Sequence, residues 1–440
     1  MRLNVAATHP NIKTHEGAPA VHLTPPRELR RSVLSALLWE DTFYEKGSAL
    51  ATRVIDLVAK CKAEAVAALA VEAREKMYLR HVPLFLVRQL ARIKGNGSLV
   101  AATLERVIQR PDELAEYLAM YWNGGTTTPR PEPLSAGSKR GLARAFRKFS
   151  AYQLAKYDRD SGVKLRDVLR VTHAKPAEIE QAKLWKQVIG RTLETPDTWE
   201  VALSAGANKR EVFERLLREQ KLGALAFLRN LRNMIESGVD AGLIRERFAG
   251  KLNMALPFRF IAAVRHAPAF AMDLNDAMLR SVADLPRLLG RTVVLVDVSG
   301  SMDDPLSAKS EMKCMDAAAG LAVLVREVGA QCRVFTFSQG LVEVPAYRGL
   351  ALVDAILHSQ PHSGTYLGAA ILEVQRHAPC DRLIVITDEQ SHDRVPNVAG
   401  IGYVINVASY QHGVGYGTWT HIDGWSERVL DFVREVEADS

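Results

Sequence analysis

At Pro286 the hydrophobic pattern of this chain changes character, and that change limits the folds open to it. Before it, from about Pro26, apolar residues recur at helical spacing: Leu29, Val33, Leu34, Leu37 and Leu38 in one segment, Leu50, Val54, Leu57 and Val58 in the next. "AEAVAALAVEAREKM" is built of strong helix formers. "VPLFLVRQLARI" and "PDELAEYLAMYW" begin with prolines tolerated in a first helical turn. Gly238 and Gly250 stand where C-terminal helix caps would. Many amphipathic helices joined by short polar loops predict helix pairs stacked as a solenoid, although no tight sequence period is visible.

After Pro286 short apolar runs alternate with helical segments. "RTVVLVDVS", "CRVFTFS", "DRLIVITDEQ" and "GIGYVINVAS" read as buried parallel strands. "EMKCMDAAAGLAVLVREVG", "ALVDAILHS", "GTYLGAAILEVQRHAP" and "GWSERVLDFVREVEA" read as helices. The alternation predicts an α/β doubly wound parallel sheet, whose ligands sit beyond the carboxyl ends of the strands. Asp297 and Asp388 end two such strands.

Asp297, Ser299 and Ser301 form D-x-S-x-S, and alternate residues of an extended loop point the same way. Thr365 in "HSGTYLG" adds a hydroxyl and Asp388 a second carboxylate. Each has a bland reading: Ser299 as a helix cap, a strand-end Asp as mere chance. Together they form a hard oxygen set that suits Mg2+, with Mn2+ or Ca2+ as alternatives, and not zinc. Phosphatase chemistry of the D-x-D type is disfavoured because Ser299 takes the position of the second acid; Asp303 and Asp304 before Pro305 read as a turn.

Charge divides the chain in the same place. Residues 1–290 hold 46 Lys and Arg against 31 Asp and Glu; residues 291–440 hold 11 against 19. A surplus of cations in the helical part points to a polyanion partner. It peaks between Lys139 and Lys175, with 11 Lys and Arg and 3 Asp. On a continuous helix, Arg140, Arg144, Arg147 and Lys148 would share a face, with Leu142, Phe146, Phe149 and Gln153 near the other. Such a row suits phosphate contacts, and His173, beside Arg170 and Lys175, could stack on a base. Four scattered cysteines, Cys61, Cys314, Cys332 and Cys380, give no metal or disulfide spacing and read as free thiols. The mixed, polar N-terminus lacks the core of a signal peptide, and no apolar run is long enough to span a membrane; a cytoplasmic protein is expected.

The part after residue 291 resembles the von Willebrand factor A domain and its metal-ion-dependent adhesion site, where the metal binds a partner's carboxylate. "LLWEDTFYEKG", "PDELAEYLAMYW", "LRDVLRVTHAKP", "FLRNLRNM" and "LPFRFIAA" resemble motifs of the TROVE module. In Ro autoantigen proteins that module precedes an A-like domain. The resemblance implies a non-enzymatic RNA-binding protein: an all-α ring of HEAT-like helical repeats, bridged by the A-like domain. In this family Y RNAs bind the outer surface and 3′ ends of misfolded RNAs thread the ring. By motif match the resemblance puts His173 and Lys156 on the Y RNA surface; the next basic position there is Asp160 in this chain, with Arg159 beside it, a departure that a shifted contact through Arg159 or a different RNA would reconcile.

The expected organisation is an extended arm over residues 1–25, a TROVE-like RNA-binding domain over 26–288, and an A-like domain over 291–440. The candidate RNA contacts are Arg140, Arg144, Arg147, Lys148, Lys156, Arg159, Arg166, Arg170, His173 and Lys175. The expected role is RNA quality control or processing by a monomer, with noncoding and misfolded RNA as partners and an exoribonuclease or other protein docking through a carboxylate. The alternatives are a metal-dependent protein-interaction scaffold and a phosphate-ester or nucleic-acid hydrolase; for the last, no P-loop, nucleophile elbow or paired-carboxylate motif beyond the metal site is found.

Overall fold

The computed structural model describes residues 13–14, 16–19, 23–34, 47–123, 133–158, 162–204, 206–252, 255, 257–306, 311–407, 412–414, 417–424 and 429–438. Leu37, Leu38, Arg159 and Asp160, all used in the sequence reading, lie outside these residues. The chain forms two compact units. One comprises Pro25–Val33 and Ala51–Gly206; the other comprises Met1–Thr24, Leu34–Leu50 and Ala207–Ser440.

The first unit is helical. Its helices include Ala63–Glu75, His81–Arg92, Gly97–Val107, Pro111–Asn123, Ala136–Phe146, Ala151–Tyr157, Leu165–Thr172 and Ile179–Gly190. Their apolar stripes are buried, with Leu84, Leu104, Leu118, Leu142 and Phe146 wholly shielded. Helices Gly97–Val107 and Ala136–Phe146 cross on bare backbone: a Cβ at Gly137 would stand 2.5 Å from the Gly97 carbonyl oxygen, and one at Gly141 2.7 Å from Leu104 Cβ. Only glycine permits that approach.

The second unit joins helices Lys209–Arg218, Ala224–Glu236, Ala241–Ala249, Pro257–His266 and Ala271–Ala283 to a six-stranded sheet. The strands are β1 (Leu288–Asp297), β2 (Gly329–Phe337), β3 (Leu341–Val344), β4 (Arg382–Thr387), β5 (Ile401–Asn406) and β6 (Thr420–Asp423), in the order β3-β2-β1-β4-β5-β6. The expectation of an all-parallel sheet is corrected at one edge. β3 runs antiparallel to β2, returning after the short connection Ser338–Gly340, where Ser338 N–H donates to the Gly340 carbonyl at 3.2 Å. All other pairs are parallel. The strand order reverses direction between β1 and β4, which opens a crevice at their carboxyl ends.

Helix Cys314–Val328 lies between the sheet and the preceding helices. It is apolar on every face, "AAAGLAVLV" being wholly buried, because both sides are covered. At Gly320 a Cβ would meet Ile261 Cδ1 at 3.3 Å and Phe258 Cβ at 3.4 Å. Arg265 bridges the Asp316 carboxylate and, at 2.6 Å, the Glu311 carbonyl. Gly238 has φ +71°, as a left-handed cap should, but Gly250 is extended (φ −74°, ψ 169°) and does not form the expected left-handed cap. No helix among the described residues is long and apolar enough to cross a membrane.

Candidate metal site and cation surface

Asp297 is the last residue of β1 and is wholly buried. Its Oδ1 accepts the Ser299 N–H at 2.9 Å and its Oδ2 accepts the Thr387 hydroxyl at 2.6 Å. The chain then makes a 3-10 turn, Gly300–Asp303, which Ser299 precedes without capping it by its side chain. The Ser299 hydroxyl instead lies 3.3 Å from that of Ser301, which donates to Asp388 Oδ2 at 2.5 Å. The other Asp388 oxygen accepts the Gln390 N–H at 3.0 Å. Asp388 immediately follows β4 and is 2% exposed.

Two backbone bonds tie in the Thr365 loop. Gly300 N–H donates to the Ser363 carbonyl at 3.0 Å, and His392 N–H to the Thr365 carbonyl at 2.8 Å. Three loops are thereby stitched together, and Thr365 itself is 3% exposed. Burial, reinforced by the Asp388 carboxylate, pushes Asp297 up to about 7. Two carboxylates this close and this shielded repel unless a proton or a cation stands with them. Burial also pushes the Cys314 thiol up to about 12, with Asp388, Asp304 and Asp316 adding to the effect, so this cysteine beside the site stays a thiol. All four cysteines are free. Among the described residues no group of three or more His, Cys, Asp and Glu side chains is arranged to hold a metal; the donor set is two carboxylates with hydroxyls.

Sequence reading missed the layer beneath. Glu389 is buried at φ +63°, a backbone state uncommon for a side chain of this kind. Its carboxylate pairs with His421 Nε2 at 3.0 Å, while His421 Nδ1 lies 3.5 Å from Asp423. Asn406 holds Asp423 from β5 at 3.2 Å. Burial alone would lower the His421 imidazole; the two carboxylates outweigh it and raise it to about 9. The one visible hint was the polar run "TDEQSHD" following a buried strand.

The cation row needs a correction. The helix stops at Phe146, and a second one, Ala151–Tyr157, starts from Ser150 through a reciprocal cap with Gln153. Arg147 and Lys148 therefore lie in a turn, off the helical face, and Gln153 is an exposed capping residue. Leu142, Phe146 and Phe149 are buried as expected from their spacing. Lys148 is half-engaged: its ammonium reaches the carbonyls of Glu105 and, at 2.5 Å, Ile108 at the end of helix Gly97–Val107, and burial lowers it. Arg147 donates twice to the Lys175 carbonyl, at 3.2 and 2.9 Å, which brings the turn carrying His173 and Lys175 beside this helix end.

Arg140, Arg170, His173 and Lys175 are exposed, and among the described residues none of their side chains meets a carboxylate. Arg144 is exposed with Glu105 at 3.7 Å, Arg166 sits 4.0 Å from Asp167, and Lys156 lies over the Tyr157 ring. His173 ends helix Leu165–Thr172 in the left-handed state, φ +50°, which turns it outward.

Residues 187–264 match the TROVE domain family and residues 291–399 the Ro60 vWA domain family. The chain thus carries a match to the TROVE domain family followed by a match to the Ro60 vWA domain family, over 78 and 109 of its 440 residues. It is similar in fold to the Ro (RSR) protein of Deinococcus radiodurans, with a TM-score of 0.60 over 94% of this chain and 100% of that one, at 17% identity. Telomerase protein component 1 of Mus musculus is 37% identical over 98 residues, and that of Rattus norvegicus 36% over 98 residues. Each alignment covers 21% of this chain and 4% of the relative's length.

Proposed function

We propose that this chain is a non-enzymatic, Ro-type RNA-binding protein that takes structured, Y-like noncoding RNA on the surface carrying Arg140, Arg144, Arg170, His173 and Lys175. Single-stranded 3′ ends of misfolded RNA are a second cargo of the helical repeats, in RNA quality control or processing. The observation that carries the reading is the cluster of exposed cations, of which Arg140, Arg170 and Lys175 meet no carboxylate among the described residues and Arg144 has only Glu105 at 3.7 Å, in a helical unit with 29 Lys and Arg against 18 Asp and Glu. Unpaired cations release condensed counterions from a nucleic acid on binding, which makes affinity salt-dependent. Replacing Arg140, Arg144, Arg170 and Lys175 together by Gln is expected to weaken a small hairpin RNA with a single-stranded tail by about 10- to 100-fold and to lower the log–log salt slope by about 2 to 3. Filter binding between low and physiological salt reads both. An unchanged slope would remove this surface from the RNA interface.

A second reading is compatible with the first: metal-dependent docking of a protein at the crevice of the A-type domain, an exoribonuclease being one such partner. It is supported by the buried Asp297 and Asp388 pair with Ser299, Ser301 and Thr365 around it. These residues fit a hard divalent cation, Mg2+ before Mn2+ or Ca2+. The five residues would hold it, and the cation would supply a positive charge for a partner's carboxylate. The chain's own contribution is orientation: Thr387 and the Ser299 N–H fix Asp297, and the Gln390 N–H fixes Asp388.

A further inference from the structure

A short turn from the N-terminal arm lies on the rim of the Asp297 crevice. Lys13 and Pro19 bridge, Thr14 N–H donates to the Ala18 carbonyl at 2.9 Å, and Gly17 takes φ +96° at the bend. Two contacts anchor it far along the chain. The Thr14 hydroxyl donates to the Ser391 carbonyl at 2.8 Å in a buried bond, and Ala18, 1% exposed, joins the apolar cluster of Leu367 and Trp419.

At the tip Glu16 Oε2 meets His392 Nε2 at 3.1 Å. His392 is held for this contact. Its Nδ1 accepts the Thr365 N–H at 3.1 Å, which leaves the ring proton on Nε2, facing Glu16. Its ring stacks on Tyr366, centroids 5.2 Å apart at 21°. The imidazole is thus fixed from below by the backbone of a candidate metal-holding residue and presents a donor outward, where a carboxylate sits. Glu16 and His392 are each about one-third exposed (31% and 32%), so the contact lies at the surface, and losing it loosens the turn that Thr14 and Ala18 otherwise anchor.

We propose that His392 on Tyr366 is a carboxylate-binding subsite of the docking face, that Glu16 of the N-terminal turn is its resident occupant, and that an acidic segment of a partner displaces it. The partner's chemistry follows from the two positions: one carboxylate for the Asp297 crevice and a second for His392, which the Thr365 N–H holds. This rests on reading the crevice as a docking point, but the subsite itself uses no metal, so the two can fail separately.

The test uses the full chain. Glu16→Gln is expected to speed tryptic cleavage after Lys13 by about three- to tenfold, the range for losing one charge-assisted surface contact. A fluorescent peptide with the sequence of residues 11–20 is the second readout. It should bind the Glu16→Gln chain about three- to tenfold more tightly than the unaltered chain. Its own Glu16→Gln form should not bind, and His392→Phe, which keeps the stack on Tyr366, should abolish binding. Peptide binding that survives EDTA and Asp297→Ala supports a subsite independent of the metal position. An unchanged cleavage rate, or equal binding of the Glu and Gln peptides, overturns the proposal.

Discussion

The helical unit and the sheet-bearing unit handle charge in opposite ways. The first carries a surplus of 11 cations and leaves its most telling ones, Arg140, Arg170 and Lys175, in water. The second carries a deficit of 4 and draws several acids inward, where Asp297, Asp388, Glu389 and Asp423 are all 5% exposed or less. Solvated cations act additively and at a distance, so no single one is decisive. Buried carboxylates act through a few short bonds, so each one is. A diffuse surface suits a polymer with repeated charges; a small shielded cluster suits one cation or one partner side chain.

That contrast can be broken most sharply at Asp297. Asp297→Ala is expected to abolish Mn2+ binding in an EPR titration while leaving RNA affinity within about twofold, since it contributes nothing to the cation surface. A matching loss of RNA binding would merge the two sites into one. In the helical unit the largest single-residue effect should come from packing. Gly137→Ala places a methyl 2.5 Å from the Gly97 oxygen and should cost about 1 to 3 kcal/mol, read as a fall in the melting temperature. A melting temperature equal to that of the unaltered chain would show that the helix pair can separate freely.

A smaller effect tests the buried layer under the crevice. His421 is raised in the folded state from its ordinary 6.5 to about 9 by Glu389 and Asp423, burial notwithstanding. Its contribution to stability is therefore complete below about pH 6.5 and fades as pH rises through about 9. His421→Gln should be destabilising at pH 6 and approach the unaltered chain by pH 10; denaturant melts giving the same difference at both pH values would sink this assignment. The smallest effects separate one lysine from its neighbours. Lys148→Met should leave RNA affinity within about twofold and lower stability by about 1 kcal/mol, because its ammonium is on helix-end carbonyls. Arg170→Ala should do the reverse, weakening RNA two- to fivefold with no change in stability, a range of about 0.4 to 1 kcal/mol for one phosphate contact.

Much of this was legible in the sequence where local chemistry and global fold agree. A β-branched run ending in D-x-S-x-S marks a strand end with converging oxygens, and the fold places those residues on neighbouring loops. "EMKCMDAAAGLAVLVREVG" reads as a helix and forms one, but that both its sides are covered comes only from the fold. Less was legible where a pairing spans distance or a strand is short. β3 and β6 have four residues each, too few for a period to show. His421 finds Glu389 only because β6 lies beside β5 at the sheet's edge. The break after Phe146 was hidden because Arg147 and Lys148 happen to continue the helical spacing; the Ser150 and Gln153 cap, three residues apart, was the readable warning. Arg159 stays an expectation, outside the described residues.

The glycine contact at position 320 also bears on how this protein can be handled. Helix Cys314–Val328 presses one face on the sheet and another on helix Pro257–His266, where the contact is apolar around Gly320 and ends in the Arg265–Asp316 pair. Cutting the chain near residue 290 would lay that second face open to water, and an excised sheet fragment would be sticky and short-lived. A fragment starting near Ala207 keeps the face covered. The useful cutting point for making a separately foldable piece therefore lies some eighty residues upstream of the first strand.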